Sequence, residues 1–208
     1  MIRLGRLFPK HLNLNGDFGN LEVLSRQLGW RGLESEIVDI CVADDIVDDL
    51  DFILVGHGSE AAWQDILNDF RQLEAKLLTL KAKGVVILAV STGFEHSVEI
   101  GLIEGISVEA IEERVSKFVI YPDGKSEVLG YVNVNNNLPP IQRCGSVIGT
   151  TLHGPVLAKN AGLLVEVLQT ITARKNLPLP EIIEAKKADQ LADLIAELWE
   201  LERELASE

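Results

Sequence analysis

Basic residues, cysteines and long apolar runs are all scarce in this sequence. Lysine and arginine number 19 against 32 acidic residues, a formal net charge of −13. That balance repels a phosphate backbone and argues against general nucleic-acid binding. It equally disfavours an anionic membrane surface. Simple solubility accounts for such charge, and a basic partner protein is the other use for it. There are only two cysteines, Cys41 and Cys144, and they form no CxxC pair. A disulfide framework is therefore excluded, and a reducing compartment, the cytoplasm, is expected. The opening MIRLGRLFPK contains no long apolar stretch, so no signal peptide is expected. The longest apolar run, 85–90, is far too short to cross a bilayer, so no integral membrane segment is expected. The histidines are His11, His57, His96 and His153, and they share no metal-ligand spacing with one another or with the cysteines. No metal or other cofactor is expected.

What is present is an apolar fraction of 47% in 208 residues, enough for a substantial core in one domain over 1–208. Apolar runs alternate with helical patterns, the signature of a parallel sheet with crossover helices. Strands are predicted over 1–7, 36–42, 52–55 and 85–90. The last has no alternation and reads as a central strand buried on both faces. Helices are predicted over 20–29, 61–83 and 94–100. In the second half, 117–121, 126–134 and 146–150 are strand candidates. The turn Pro122-Asp123-Gly124-Lys125 joins the first two as a hairpin. Helices over 163–174 and 189–206 follow. The last carries Leu191, Leu194, Ile195, Leu198, Leu201 and Leu205 at helical spacing, a stripe expected to pack on the parent domain.

One segment carries a possible reaction centre. Gly84-Val-Val-Ile-Leu-Ala-Val-Ser91-Thr-Gly93 reads as strand, tight turn, helix. Such a turn lifts a small nucleophilic side chain above the sheet edge and aims helix-start amides at the same space. Gly56-His57-Gly58 closes another strand, so it is expected at that same edge, where open parallel sheets place their sites. His153 follows the strand candidate 146–150 and is placed to accept a proton from a nucleophile and return it to a leaving amine. Each piece has a plainer reading. A serine after a strand is often a helix cap, and a histidine there often bonds the strand end.

Taken together, these segments resemble the class I glutamine amidotransferases. Leu88-Ala-Val-Ser91-Thr-Gly-Phe-Glu95 is similar to their nucleophile segment, L-A-x-C-x-G-[FY]-Q. Thr151-Leu-His153-Gly-Pro-Val-Leu-Ala-Lys-Asn160 is similar to the histidine segment of one branch. That branch is the glutaminase subunit (GatD) of lipid II isoglutaminyl synthases, related to the cobyric acid synthase amidotransferases. Leu12-Asn-Leu-Asn-Gly16-Asp17-Phe-Gly19-Asn20 resembles the branch's L-N-x-Y-G-D-x-G-N. Gly130-Tyr-Val-Asn133 resembles its G-[FY]-x-N, and Gly56-His-Gly58-Ser-Glu60 falls at its glycine-rich turn.

The resemblance implies a three-layer, flavodoxin-like α/β fold with a mostly parallel sheet. It implies L-glutamine as substrate and hydrolysis that passes ammonia to a Mur-ligase-like (MurT-type) subunit, which amidates the D-glutamate of lipid II. It implies Ser91 at the nucleophile position, His153 as base, and Gly58 with Thr92 as oxyanion amides. Arg114, placed before the strand 117–121, is the candidate glutamine-carboxylate contact. The departures are Ser91 in place of cysteine, Thr92, Glu95 in place of glutamine, and a short 134–141 segment. A serine hydroxyl needs a strong base where a thiol ionises readily. Pro155 stands two residues after His153, where other class I enzymes carry the triad glutamate; in this branch the partner subunit supplies the acid. Ser91 is either an engineered replacement or a natural divergence that impairs activity; the changes at Thr92, Glu95 and His96 favour the second. A non-enzymatic subunit that stabilises the ligase is the alternative.

Overall fold

The computed structural model describes every residue except Asp123, Glu184 and Glu208. Strand β1 (Ile2–Leu7) leads through a loop to helix α1 (Gly19–Gly29). Strands β2 (Ser35–Ile40) and β3 (Phe52–Val55) precede helices α2 (Glu60–Gln72) and α3 (Glu74–Ala82). Then come β4 (Val86–Val90), α4 (Thr92–Glu99), and the strands β5 (Ala110–Pro122), β6 (Glu127–Asn136), β7 (Ile141–Cys144), β8 (Val147–Thr150) and β9 (Leu152–His153). Helices α5 (Val156–Lys159), α6 (Ala161–Arg174) and α7 (Ala185–Ser207) end the chain.

The main sheet has the order β2-β1-β3-β4-β8-β7, parallel throughout except for the β7–β8 pair at one edge. The expected α/β architecture is thus present. Its central strands alternate between two cores, as the period of two in a strand requires. Phe52, Leu54, Val86, Leu88 and Val90 face α1, α5 and α6. Ile53, Val55, Ile87 and Ala89 face α2 and α3, where Trp63, Ile66, Phe70, Leu77 and Leu80 are buried. Apolar side chains on both faces explain why β3 and β4 read as unbroken apolar runs. Each fully buried large side chain stabilises this arrangement by roughly 1.5–3 kcal/mol.

A second sheet, β5-β6-β9, is antiparallel, so the expected hairpin is present, with Pro122 opposite Glu127. Asp123 of its turn lies outside the described residues. The chain leaves the main sheet at Thr150 and joins the second at Leu152, setting His153 opposite Tyr131.

Three expectations change. The helix predicted over 61–83 is two helices that meet at Leu73, whose amide bonds the Phe70 carbonyl at 3.0 Å in a tightened turn. No glycine or proline marks the break, and the apolar spacing runs through it. The strand β7 was not foreseen, because it follows Pro139-Pro140 and reads Ile-Gln-Arg-Cys. Finally, the leucine stripe of α7 does not seat as one face. Leu194, Leu201 and Leu205 remain 63%, 62% and 48% exposed. Leu191, Ile195 and Leu198 are half-buried, and polar contacts add to them: Trp199 Nε1 donates to the Lys159 carbonyl at 2.8 Å, and Lys159 pairs with buried Glu202 at 2.5 Å.

Candidate active site

Parallel β1, β3, β4 and β8 are neighbours, so their carboxyl ends and the loops after them share one edge. There a cavity of about 320 Å³ is lined by Asn15, His57, Gly58, Ser91, Thr92, Glu95, Arg114, Asn133 and His153, among others. All five residues singled out in the sequence therefore border one space.

Ser91 is the turn between β4 and α4. Its backbone lies at φ 51°, ψ −114°, a conformation costly for a residue with a Cβ. Its amide donates to the Thr150 carbonyl at 2.7 Å, which fixes the turn to β8. The side chain makes no capping bond, so the plain helix-cap reading fails. The turn is possible because α4 comes very close to β3. A Cβ on Gly93 would stand 2.4 Å from the Val55 carbonyl oxygen, and one on Gly56 would stand 2.2 Å from that of Leu12. Only glycine fits at either position.

Thr92 opens α4, and its hydroxyl is the hub of the site. It receives the Gly58 amide at 3.0 Å and the Trp63 indole N–H at 2.7 Å. With both lone pairs used, its single proton is left for the Gly58 carbonyl at 3.1 Å or for His57 Nδ1 at 2.9 Å. His57 lies beside this hub. Burial, and to a lesser extent His153, push its pKa down to about 4, in keeping with a neutral ring. The Gly58 amide, expected to face a developing oxyanion, donates to Thr92 Oγ1 in this structure.

His153 lies edge-on to His57, ring centres 5.3 Å apart. Its Nε2 meets the backbone carbonyl of Asn133 at 3.3 Å, and its Nδ1 meets the side-chain amide of Asn15. Burial lowers its pKa; the Asn133 bond opposes that, and the positive charge of Arg114 adds to it. Arg114 lies within β5, which begins earlier than the predicted strand 117–121, and its Nε donates to Asn133 Oδ1 at 2.6 Å. Glu95 accepts from Asn136 Nδ2 at 2.8 Å, and burial raises its pKa.

The opening motif holds the edge together. Asp17 is fully buried; Oδ2 accepts the His57 amide at 2.7 Å, and Oδ1 has no partner among the described residues. Burial raises its pKa to about 6 against the pull of that amide. Asn20 accepts from the Leu157 amide at 2.9 Å and Asn160 brackets Leu129, so α1, α5 and β6 are tied around the histidine. Sequence reasoning assigned no role to Asn15, His57 or Trp63. The sheet-edge rule could have flagged Asn15 and His57, since both lie in loops after β1 and β3. No group of side chains suited to a metal occurs among the described residues. No helix among them is long and apolar enough to cross a membrane.

No protein-family model matches the chain. Its sequence is 21% identical over 219 residues to "Lipid II isoglutaminyl synthase (glutamine-hydrolyzing) subunit GatD" of Staphylococcus aureus (strain N315), covering 89% of this chain and 88% of the relative. The fold is similar to that of PurLQS from Thermotoga maritima, with a TM-score of 0.53 and 14% identity over 82% of this chain and 97% of the other. It is likewise similar to a solved glutamine amidotransferase, with a TM-score of 0.51 and 18% identity over 81% and 98%. At those identities the structural likeness speaks for the fold alone. Fold, motif order and sequence relative converge: the chain is a class I glutamine amidotransferase-like protein related to GatD.

Proposed function

We propose that this chain is the glutaminase-type subunit of a two-subunit amidotransferase. It passes ammonia from L-glutamine to a Mur-ligase-like partner that amidates the D-glutamate of lipid II in cytoplasmic cell-wall synthesis. The observation that carries the reading is Ser91 held at a strained strand-to-helix turn, on one cavity with His153. In this chemistry Ser91 Oγ attacks the side-chain amide carbon of glutamine and His153 takes its proton. The proton goes to the departing ammonia, and water then releases glutamate from the acylated serine. Arg114 is the counter-charge for the substrate carboxylate at the cavity wall.

With serine at the nucleophile position, the activity of the isolated chain is expected to be slight. A second reading, a non-catalytic subunit that stabilises the ligase, draws on Thr92, whose hydroxyl occupies the Gly58 amide. Ammonia release by Ser91→Cys, with and without the ligase subunit, separates the two. Partner-dependent release supports the first reading, and silence from a folded, assembled pair supports the second.

A further inference from the structure

The two nitrogens of His153 meet chemically different neighbours. The Asn133 carbonyl at Nε2 can only accept, so Nε2 carries a proton. In the neutral ring the lone pair is then on Nδ1, where the side-chain nitrogen of Asn15 stands as donor. Both contacts demand the same tautomer. With the Asn15 amide reversed, both ring nitrogens would have to be protonated, placing a cation near Arg114.

The position of Asn15 is not left to that one contact. The Leu14 amide donates to the His57 carbonyl at 3.0 Å, and the Phe18 amide to Asn13 Oδ1 at 3.0 Å. The first bond ties the β1–α1 loop to the turn after β3, and the second closes the loop on itself across Asn15. A histidine acting as general base needs the opposite arrangement: an acceptor at Nδ1–H and a free lone pair at Nε2.

We propose that Asn15 is a positioning residue that holds His153 as the Nε2–H tautomer, its proton taken by the Asn133 carbonyl, so that in the chain without its partner Nε2 offers no lone pair to a nucleophile. A carboxylate in place of the Asn15 amide accepts from Nδ1–H while the Asn133 carbonyl still accepts at Nε2, so the ring then holds both protons as a cation. The placement of the proton stands on geometry alone; its effect on turnover rests on the glutaminase reading above.

Long-range ¹H–¹⁵N spectra of the full ¹⁵N-histidine-labelled chain near neutral pH test it, with His153→Gln assigning the signals. The expected result is a neutral Nε2–H pattern for His153 in the unaltered chain, a doubly protonated imidazolium pattern in Asn15→Asp and a mixed pattern in Asn15→Ala. An Nδ1–H or averaged pattern in the unaltered chain overturns the proposal. So does an unchanged pattern in either variant while the other histidine signals keep their positions. If Asn15→Asp does not fold, Asn15→Ala makes the same decision. In a Ser91→Cys background, where the imidazolium favours the thiolate, adding Asn15→Asp should raise ammonia release from glutamine without partner by on the order of 100-fold. No increase, with the second proton shown to be in place, counts against the glutaminase reading and not against the role of Asn15.

Discussion

The hydroxyl of Thr92 accepts the backbone amide proton of Gly58 at 3.0 Å, so a side chain of α4 fills the place where the turn after β3 offers its N–H. The same oxygen satisfies Trp63 Nε1 at 2.7 Å. Replacing Thr92 by valine keeps the shape and removes both acceptor sites. Leaving buried donors unpaired should destabilise the chain by about 1–3 kcal/mol. Urea unfolding followed by tryptophan fluorescence reads this. A change below a few tenths of a kcal/mol would mean the hub is not a structural constraint.

Asp17 gives a pH dependence with a defined sign. Its folded-state pKa is raised to about 6 from an ordinary 3.8, so between those values the folded chain binds more protons than the unfolded chain. Stability conferred relative to a non-titrating variant should therefore increase as pH falls from above 6 towards 4. At 1.36 kcal/mol per pH unit the difference reaches about 3 kcal/mol. His57, held neutral by burial, acts in the opposite direction, so the comparison must isolate Asp17. Urea unfolding of the chain and of Asp17→Asn from pH 4 to pH 7 checks it. The gap between them should shift in favour of the unaltered chain as the pH falls.

Asn160 is buried, accepts from the Leu129 amide at 2.8 Å, and donates to the carbonyls of Leu129 at 3.0 Å and Val156 at 2.9 Å. Alanine there removes the side-chain partner of both Leu129 peptide groups, while the Val156 carbonyl keeps the residue-160 amide at 3.2 Å. A loss of about 2–4 kcal/mol is expected, the sum of such penalties. Hydrogen exchange should show faster opening at Leu129 than at β3, because only the β6–α5 tie is cut.

The sequence made legible what depends on local pattern. Residues 52–55 and 86–90 declare buried parallel strands by continuous apolar character, and the residues after 90 declare a turn. The carboxyl-edge rule then brings Ser91 and the turn at Gly58 to one edge, and His153 is read only as following a strand. What stayed hidden comes from convergence of distant loops. Asn15 and His153 are 138 residues apart, and nothing in either segment points to the other. The engagement of Gly58 by Thr92 spans 34 residues and depends on a side chain, whereas the motif described only backbone. The α7 stripe misled because helical spacing shows that a face is apolar, not how much of that face the body covers.

Ammonia release from glutamine by Ser91→Cys, measured alone and with the Mur-ligase-like subunit, tests the central claim most directly. A thiol restores an easily ionised nucleophile, and on the proposed reading a carboxylate from the partner displaces Asn15 from His153. The account predicts little release from the unaltered chain, and for the variant a clear rise only when the partner is present. A folded variant that co-migrates with the partner and still releases no ammonia would contradict it.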